Sequence, residues 1–166
     1  MIALHTAIVL STALCSLVAG LVLIFACVIM PGLGTLGDRE FLQAFQAIDR
    51  IIQNRQPIFM LVWVGSVVAL LAAGWLGYRH LAGVEWLMLL GATLVYFVGV
   101  QVPTATVNVP LNNQLQALDI QTLDAPALAE ARAGFEARWN RWNVLRTVFA
   151  LLTSILLMVL LLKLPS

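Results

Sequence analysis

Trp139, Trp142, Asn143 and Arg146 stand at i, i+3, i+4 and i+7 in the run Arg138–Thr147. On an α-helix that spacing gathers all four on one face. Indole rings stack against flat ligands, a guanidinium holds an oxyanion, and an amide both donates and accepts. The run leads into the apolar stretch 148–162, so this face lies at or just inside a membrane surface. A second polar block, N-V-P-L-N-N, adds Asn108, Asn112 and Asn113, and an earlier amphipathic stretch adds Gln46, Asp49 and Asn54. Polar groups near hydrocarbon are costly unless paired, so a cluster of them is a candidate site. Trp142, Asn143 and Arg146 are expected to face inward, toward Asn108 and Asn112. Purely structural uses compete with this reading. The amides and the arginine can satisfy carbonyls that Pro103 and Pro110 leave free. Arg146 can pair with Asp49 or a lipid phosphate, and the two tryptophans can form an aromatic belt.

Composition restricts where such a cluster can sit. Of 166 residues, 61% are hydrophobic and only 10% charged, against about 25% charged in a soluble domain. The chain suffices for one domain and lacks the polar surface to stay in water. Nine basic and eight acidic groups nearly cancel, so no nucleic-acid footprint is present. Cys15 and Cys27 lie in one apolar segment, separated along a helix by roughly 18 Å, too far to bridge. No cysteine motif or histidine cluster suggests a metal, and no cofactor is expected. A haem or copper held by His5 and His80 is the alternative to that reading.

The elements that must position the cluster follow from hydrophobic patterning. The fold class is all-α: a four-transmembrane-helix antiparallel bundle with amphipathic or extended helices on the long-loop side. The spans cover about 6–30, 58–76, 84–102 and 144–163 of a single domain, 1–166. The first is too long, and lacks the basic start, for a cleaved signal, and it is expected to end at P-G-L-G, 31–34. Phe41, Leu42, Phe45, Ile48 and Ile52 make one face of an amphipathic helix over 38–55. Gln43, Gln46, Arg50 and Gln53 fill the other, with Asp49 between them. Pro57 opens the second span. Residues 77–83 read as a turn, making a hairpin with the third span. That helix is expected to continue, kinked, past Pro103 and Pro110 to about Leu118. Asp124 caps a last helix running unbroken to about Lys163. Four spans put both termini on one side. Seven arginines on the long-loop side against Arg79 and Lys163 place those loops in the cytoplasm.

With these residues in view, the chain resembles the anthrone oxygenase-like family of small four-span membrane proteins over nearly its whole length. The resemblance rests on the Met30-Pro31 exit, an F-x-x-x-F-x-x-I-D helix ending in Asn54, N-V-P-L-N at 108–112, and W-x-x-W-N-x-x-R at 139–146. Asp stands at 49, where such proteins often carry Asn. The resemblance implies cofactor-independent oxygenation of an aromatic or phenolic molecule bound at the membrane interface. Asp49 would be the base, and Arg146, Asn108 and Asn112 would hold the oxyanion. Trp139 and Trp142 would stack the rings, with Asn54, Asn113 and Asn143 lining the site. The partners expected are membrane lipid and a hydrophobic small molecule, in a cell membrane. The other reading is a non-catalytic protein that binds a lipid- or quinone-like ligand or serves as a small subunit of a membrane complex. The two diverge on whether the helices enclose a pocket or pack shut around the asparagines.

Overall fold

The computed structural model describes residues 1–164. Five helices follow in order: α1 (Ile2–Gly34), α2 (Asp38–Gln53), α3 (Pro57–His80), α4 (Gly83–Gln116) and α5 (Ala125–Lys163). All but α2 are long and apolar enough to cross a bilayer, which needs about 20 residues. Their outer faces are apolar at successive turns, as Ile58, Leu61, Val68 and Leu71 on α3 illustrate. In water such a surface would aggregate; in lipid it is the ordinary exterior. The four spans form an antiparallel ring in which α1 packs on α3 and α5, and α4 packs on α5 and α3. Leu4, Ile8, Val18, Leu70, Leu89 and Leu157 fill its core.

The helices are longer than the expected spans. At 39 residues, α5 extends to roughly 58 Å, nearly twice the hydrocarbon thickness of about 30 Å. The overhanging parts of α4 and α5 receive α2 on one side of the bundle. Phe41, Leu42 and Phe45 of α2 bury completely against Leu111, Leu115, Phe135 and Trp139. Gln46 belongs to this buried face, not the outer one, because its amide donates to the carbonyls of Leu115 and Leu118 at the end of α4. Arg39 likewise donates to the carbonyls of Ile120 and Leu123 in the following loop. Helix ends that would leave carbonyls orphaned are thus closed by side chains of α2.

Three prolines did not act as simple stops. Pro31, Pro103 and Pro110 lack an N–H, and each ring would strike the carbonyl four residues back. At each place the helix widens into a π-turn: Phe25–Ile29, Phe97–Gln101 and Thr104–Asn108. Each π-turn contains the carbonyl in question, so α1 passes through Pro31 to Gly34 and α4 passes both of its prolines. Within α4, Thr104 and Thr106 donate their hydroxyls to the carbonyls of Val100 and Val102. The turn between α3 and α4 is also shorter than the glycines suggested, leaving only Leu81 and Ala82 outside a helix. Gly77 is a helical packing residue: an added Cβ would meet the Leu89 side chain at 2.5 Å.

Candidate functional site

Where the ring of spans meets the α2 cap, the helices do not pack shut. A cavity of about 230 Å³ lies there, reached by side chains of all five helices. Asp49 comes from α2, Asn108 and Asn112 from α4, and Trp139, Asn143 and Arg146 from α5. Leu21, Val22, Phe25, Phe45, Ile52, Phe59, Trp63, Thr104 and Val109 complete the lining. The polar members are deep: Asn143 is 1% exposed, Asn108 2%, Asp49 3% and Arg146 6%.

The acidic end is an amide cluster with three donors on one carboxylate. Asn112 Nδ2 donates to Asp49 Oδ1 at 2.7 Å. Gln53 Nε2 and Gln116 Nε2 donate to Asp49 Oδ2 at 2.7 and 3.0 Å. Asn112 is oriented in turn by Trp139, whose Nε1 donates to its Oδ1 at 2.8 Å. Burial pushes the Asp49 carboxyl above its ordinary range, and the bonds from Gln116, Gln53 and Asn112 pull it partly back.

The basic end is not saturated. Arg146 Nη1 donates to Thr104 Oγ1 at 3.0 Å and Nη2 to Asn143 Oδ1 at 2.8 Å. Its Nε has no partner among the described residues, and neither has Asn108 Oδ1 nearby in the lining. Arg146 forms no salt bridge with Asp49; the ion pairs among the described residues are those of Arg132 with Asp38 and Glu136. The guanidinium lies 5.7 Å from the centroid of Trp139. A buried cation with a free donor and no anion beside it is an arrangement that a ligand oxygen would complete.

Aromatic rings form the walls. Phe25 and Phe45 sit 5.6 and 5.4 Å from Trp139, centroid to centroid. Across the cavity, Phe59 stacks on Trp63 at 5.5 Å and 13°, and Trp63 Nε1 donates to Gln101 Oε1 at 3.2 Å.

Six of the nine nominated residues therefore meet, and three do not. Trp142 is half-buried in a different groove, beside Gly99, Pro103 and Phe149. At about 100° per residue, Trp139, Asn143 and Arg146 share a narrow stripe and Trp142 lies some 60° off it. Asn113 is exposed, one position round from Asn112, and accepts from Gln53 at 3.3 Å. Asn54 is exposed at the C-terminal cap of α2. Sequence reasoning missed the clamping role of Gln116, although Asn108, Asn112 and Gln116 share a spacing of four. It also missed Phe59, Trp63 and Thr104, which have no local signature. Asn143 Nδ2 donates to the Val22 carbonyl at 3.0 Å, just before the π-turn of α1, and not to a carbonyl that Pro103 or Pro110 leaves free. His80 is exposed and His5 half-buried. No group of three or more His, Cys, Asp or Glu among the described residues could hold a metal ion.

Four apolar helices around a cavity with a buried arginine, amides and indoles define a multi-helix integral membrane protein with an internal polar site. The family model for anthrone oxygenase matches residues 50–156, and the chain belongs to that family. The matched segment holds Asn108, Asn112, Trp139, Asn143 and Arg146, and begins one residue after Asp49. No curated protein and no solved structure matches the chain.

Proposed function

We propose that the cavity binds a flat phenolic or anthrone-like molecule and oxidises it with O₂ without a bound cofactor, in the cell membrane. One observation carries the reading: Arg146 is buried with Nε free and no carboxylate beside it, in a cavity walled by indole and phenyl rings. An enolate or phenolate oxygen placed there gains a charge-assisted bond in a low-dielectric site. Asn108 Oδ1 would accept from a hydroxyl on the same ligand.

Asp49 would take the proton. Three of about four acceptor positions on its carboxylate are occupied by amides, which leaves one for the substrate. Loss of a C–H proton flanked by two aryl rings and conjugated to a ketone gives a delocalised carbanion. That carbanion reduces O₂ and forms a C–O bond, giving a hydroperoxide. Loss of water then converts the original CH₂ to C=O, so four electrons pass to O₂ and its atoms end as carbonyl and water. Family membership supports this chemistry at the level of class.

The test is oxygen uptake and a difference spectrum with an anthrone and a hydroquinone, on the purified protein and two variants. Arg146→Met should lower binding by about 30-fold or more, the scale of losing one partner of a buried charge pair. It should keep the protein folded, because Arg146 has no carboxylate partner among the described residues whose buried charge the change would strand. Asp49→Asn should bind but turn over at least about 100-fold more slowly. Folded variants that oxidise the substrate at the parental rate would overturn the assignment.

A further inference from the structure

The cavity has two ends of opposite character. Asp49, Asn108, Asn143 and Arg146 lie at the sealed end. Ile52, Phe59, Trp63 and Val109 line the other and are partly exposed, Val109 to 43%. Of the partly exposed lining residues only Thr104 and Asn112 are polar; these four, with Leu21 and Phe25, are apolar or aromatic. The opening therefore faces a medium that tolerates them, and its position along the bundle identifies that medium as lipid. Phe59 and Trp63 stand in the first two turns of α3, whose outer side shows Ile58 at 69% and Leu61 at 68% exposure. Helix α3 rests on α1 and on the first part of α4, Gly83–Tyr96. Beyond that part α4 carries two π-turns, and its later segment, with Val109, borders the same cavity from the other side.

On the other side the cavity is covered by α2. Helix α2 lies over the cavity with Phe41, Leu42 and Phe45 fully buried. It is tied to the end of α4 by Gln46 to the carbonyls of Leu115 and Leu118, by Gln116 to the Gln46 carbonyl, and by the amides on Asp49. Size adds a third constraint. An apolar cavity of about 150 Å³ takes a benzene ring, and drug-sized ligands occupy about 300–1,000 Å³. At about 230 Å³ this cavity holds one or two rings, so the third ring of an anthrone-like ligand, or any other apolar remainder, must occupy the mouth.

We propose that the cavity is loaded sideways from the bilayer between Phe59 and Val109. Its ligand is a phenol, hydroquinone or anthrone whose oxygen-bearing ring, the head, reaches Arg146 and Asn108 while its apolar remainder stays in lipid. This rests on the site proposed above for the head and adds the route and the amphiphilic class. Lipid is then the reservoir, and the ligand never crosses the α2 cap.

The protein in nanodiscs is offered two probes, a decyl-substituted 1-naphthol that partitions into lipid and a 1-naphthol sulfonate that stays in water. Capture and release are timed with empty nanodiscs subtracted. The decyl probe should bind the parent and Ile58→Trp, a control that alters the lipid face outside the cavity. Val109→Trp should slow its capture and release by about tenfold, and Phe59→Ala, which widens the rim, should speed both. The sulfonate should not bind. Lateral loading is overturned if the sulfonate loads as fast as the decyl probe, or if Val109→Trp and Phe59→Ala both leave the decyl kinetics unchanged. Arg146→Met separates the two readings. Undiminished decyl binding there removes the head site, whereas its loss, with rates indifferent to the rim variants, keeps the head site and removes the route.

Discussion

Burial and hydrogen bonding act in opposite directions on Asp49, and burial dominates. Its folded pKa lies above that of the unfolded chain, so folding favours the protonated form more than the unfolded chain does. The associated stability is complete below about pH 4, the ordinary carboxylate value, and is lost as pH rises through the folded value. Thermal unfolding in detergent micelles should show this. The difference between the parent and Asp49→Asn should change steadily in the variant's favour from about pH 4 toward neutrality. A difference independent of pH would mean that Asp49 titrates as it does in the unfolded chain. At this scale the sequence was legible where side chains share a helix face. The stripe of Trp139, Asn143 and Arg146 and the pair Asn108 and Asn112 could be read from spacing alone. Phe59 and Trp63 could not, because they join the site through the packing of α3, and packing partners leave no mark in a single apolar run. Trp142 was misplaced because a spacing of three sits at the edge of a stripe as narrow as this one.

At the scale of elements, existence and order were legible and ends were not. Hydrophobic length revealed all four spans, and the Asp124 cap of α5 is formed as expected, accepting from Ala127 N. Proline and glycine were the misleading signals. Pro31 and Gly77 read as boundaries, yet each lies within a helix, because π-turns absorb one and close packing uses the other. Gly99 shows the same logic inside the first π-turn of α4. A Cβ there would collide with the Phe149 side chain of α5, so the two helices approach only because none is present. Gly99→Ala should destabilise the bundle by about 1–3 kcal/mol through overpacking. Combining it with Phe149→Leu should recover a measurable part of that loss, a coupling of at least about 0.5 kcal/mol in a double-mutant cycle. Strict additivity would show that the contact does not set the spacing of α4 and α5.

Over the whole molecule, we expect the antiparallel ring of four candidate spans to return the chain to the side on which it began. Single cysteines at Ile2, Lys163 and Arg138, with Cys15 and Cys27 replaced by alanine, would read this in sealed vesicles. A membrane-impermeant maleimide should reach positions 2 and 163 from one face and 138 from the other. Reaction of 2 and 163 from opposite faces would break the four-crossing topology. The fold as a whole was legible because a bilayer imposes length and polarity rules that a sequence cannot conceal. The cavity was legible only as a concentration of polar residues on one side. Whether such residues pack together or stand apart depends on how far the helices are held from one another, and the α2 cap and the π-turns set that distance.

The uncompensated guanidinium of Arg146 has a consequence for discrimination. A fixed positive charge shielded from water gains most from a partner that arrives as, or readily becomes, an anion. Among molecules of equal size and shape, such a site ranks them by acidity. A methyl ether of a good ligand, nearly identical in outline, would be refused because it has no proton to give up.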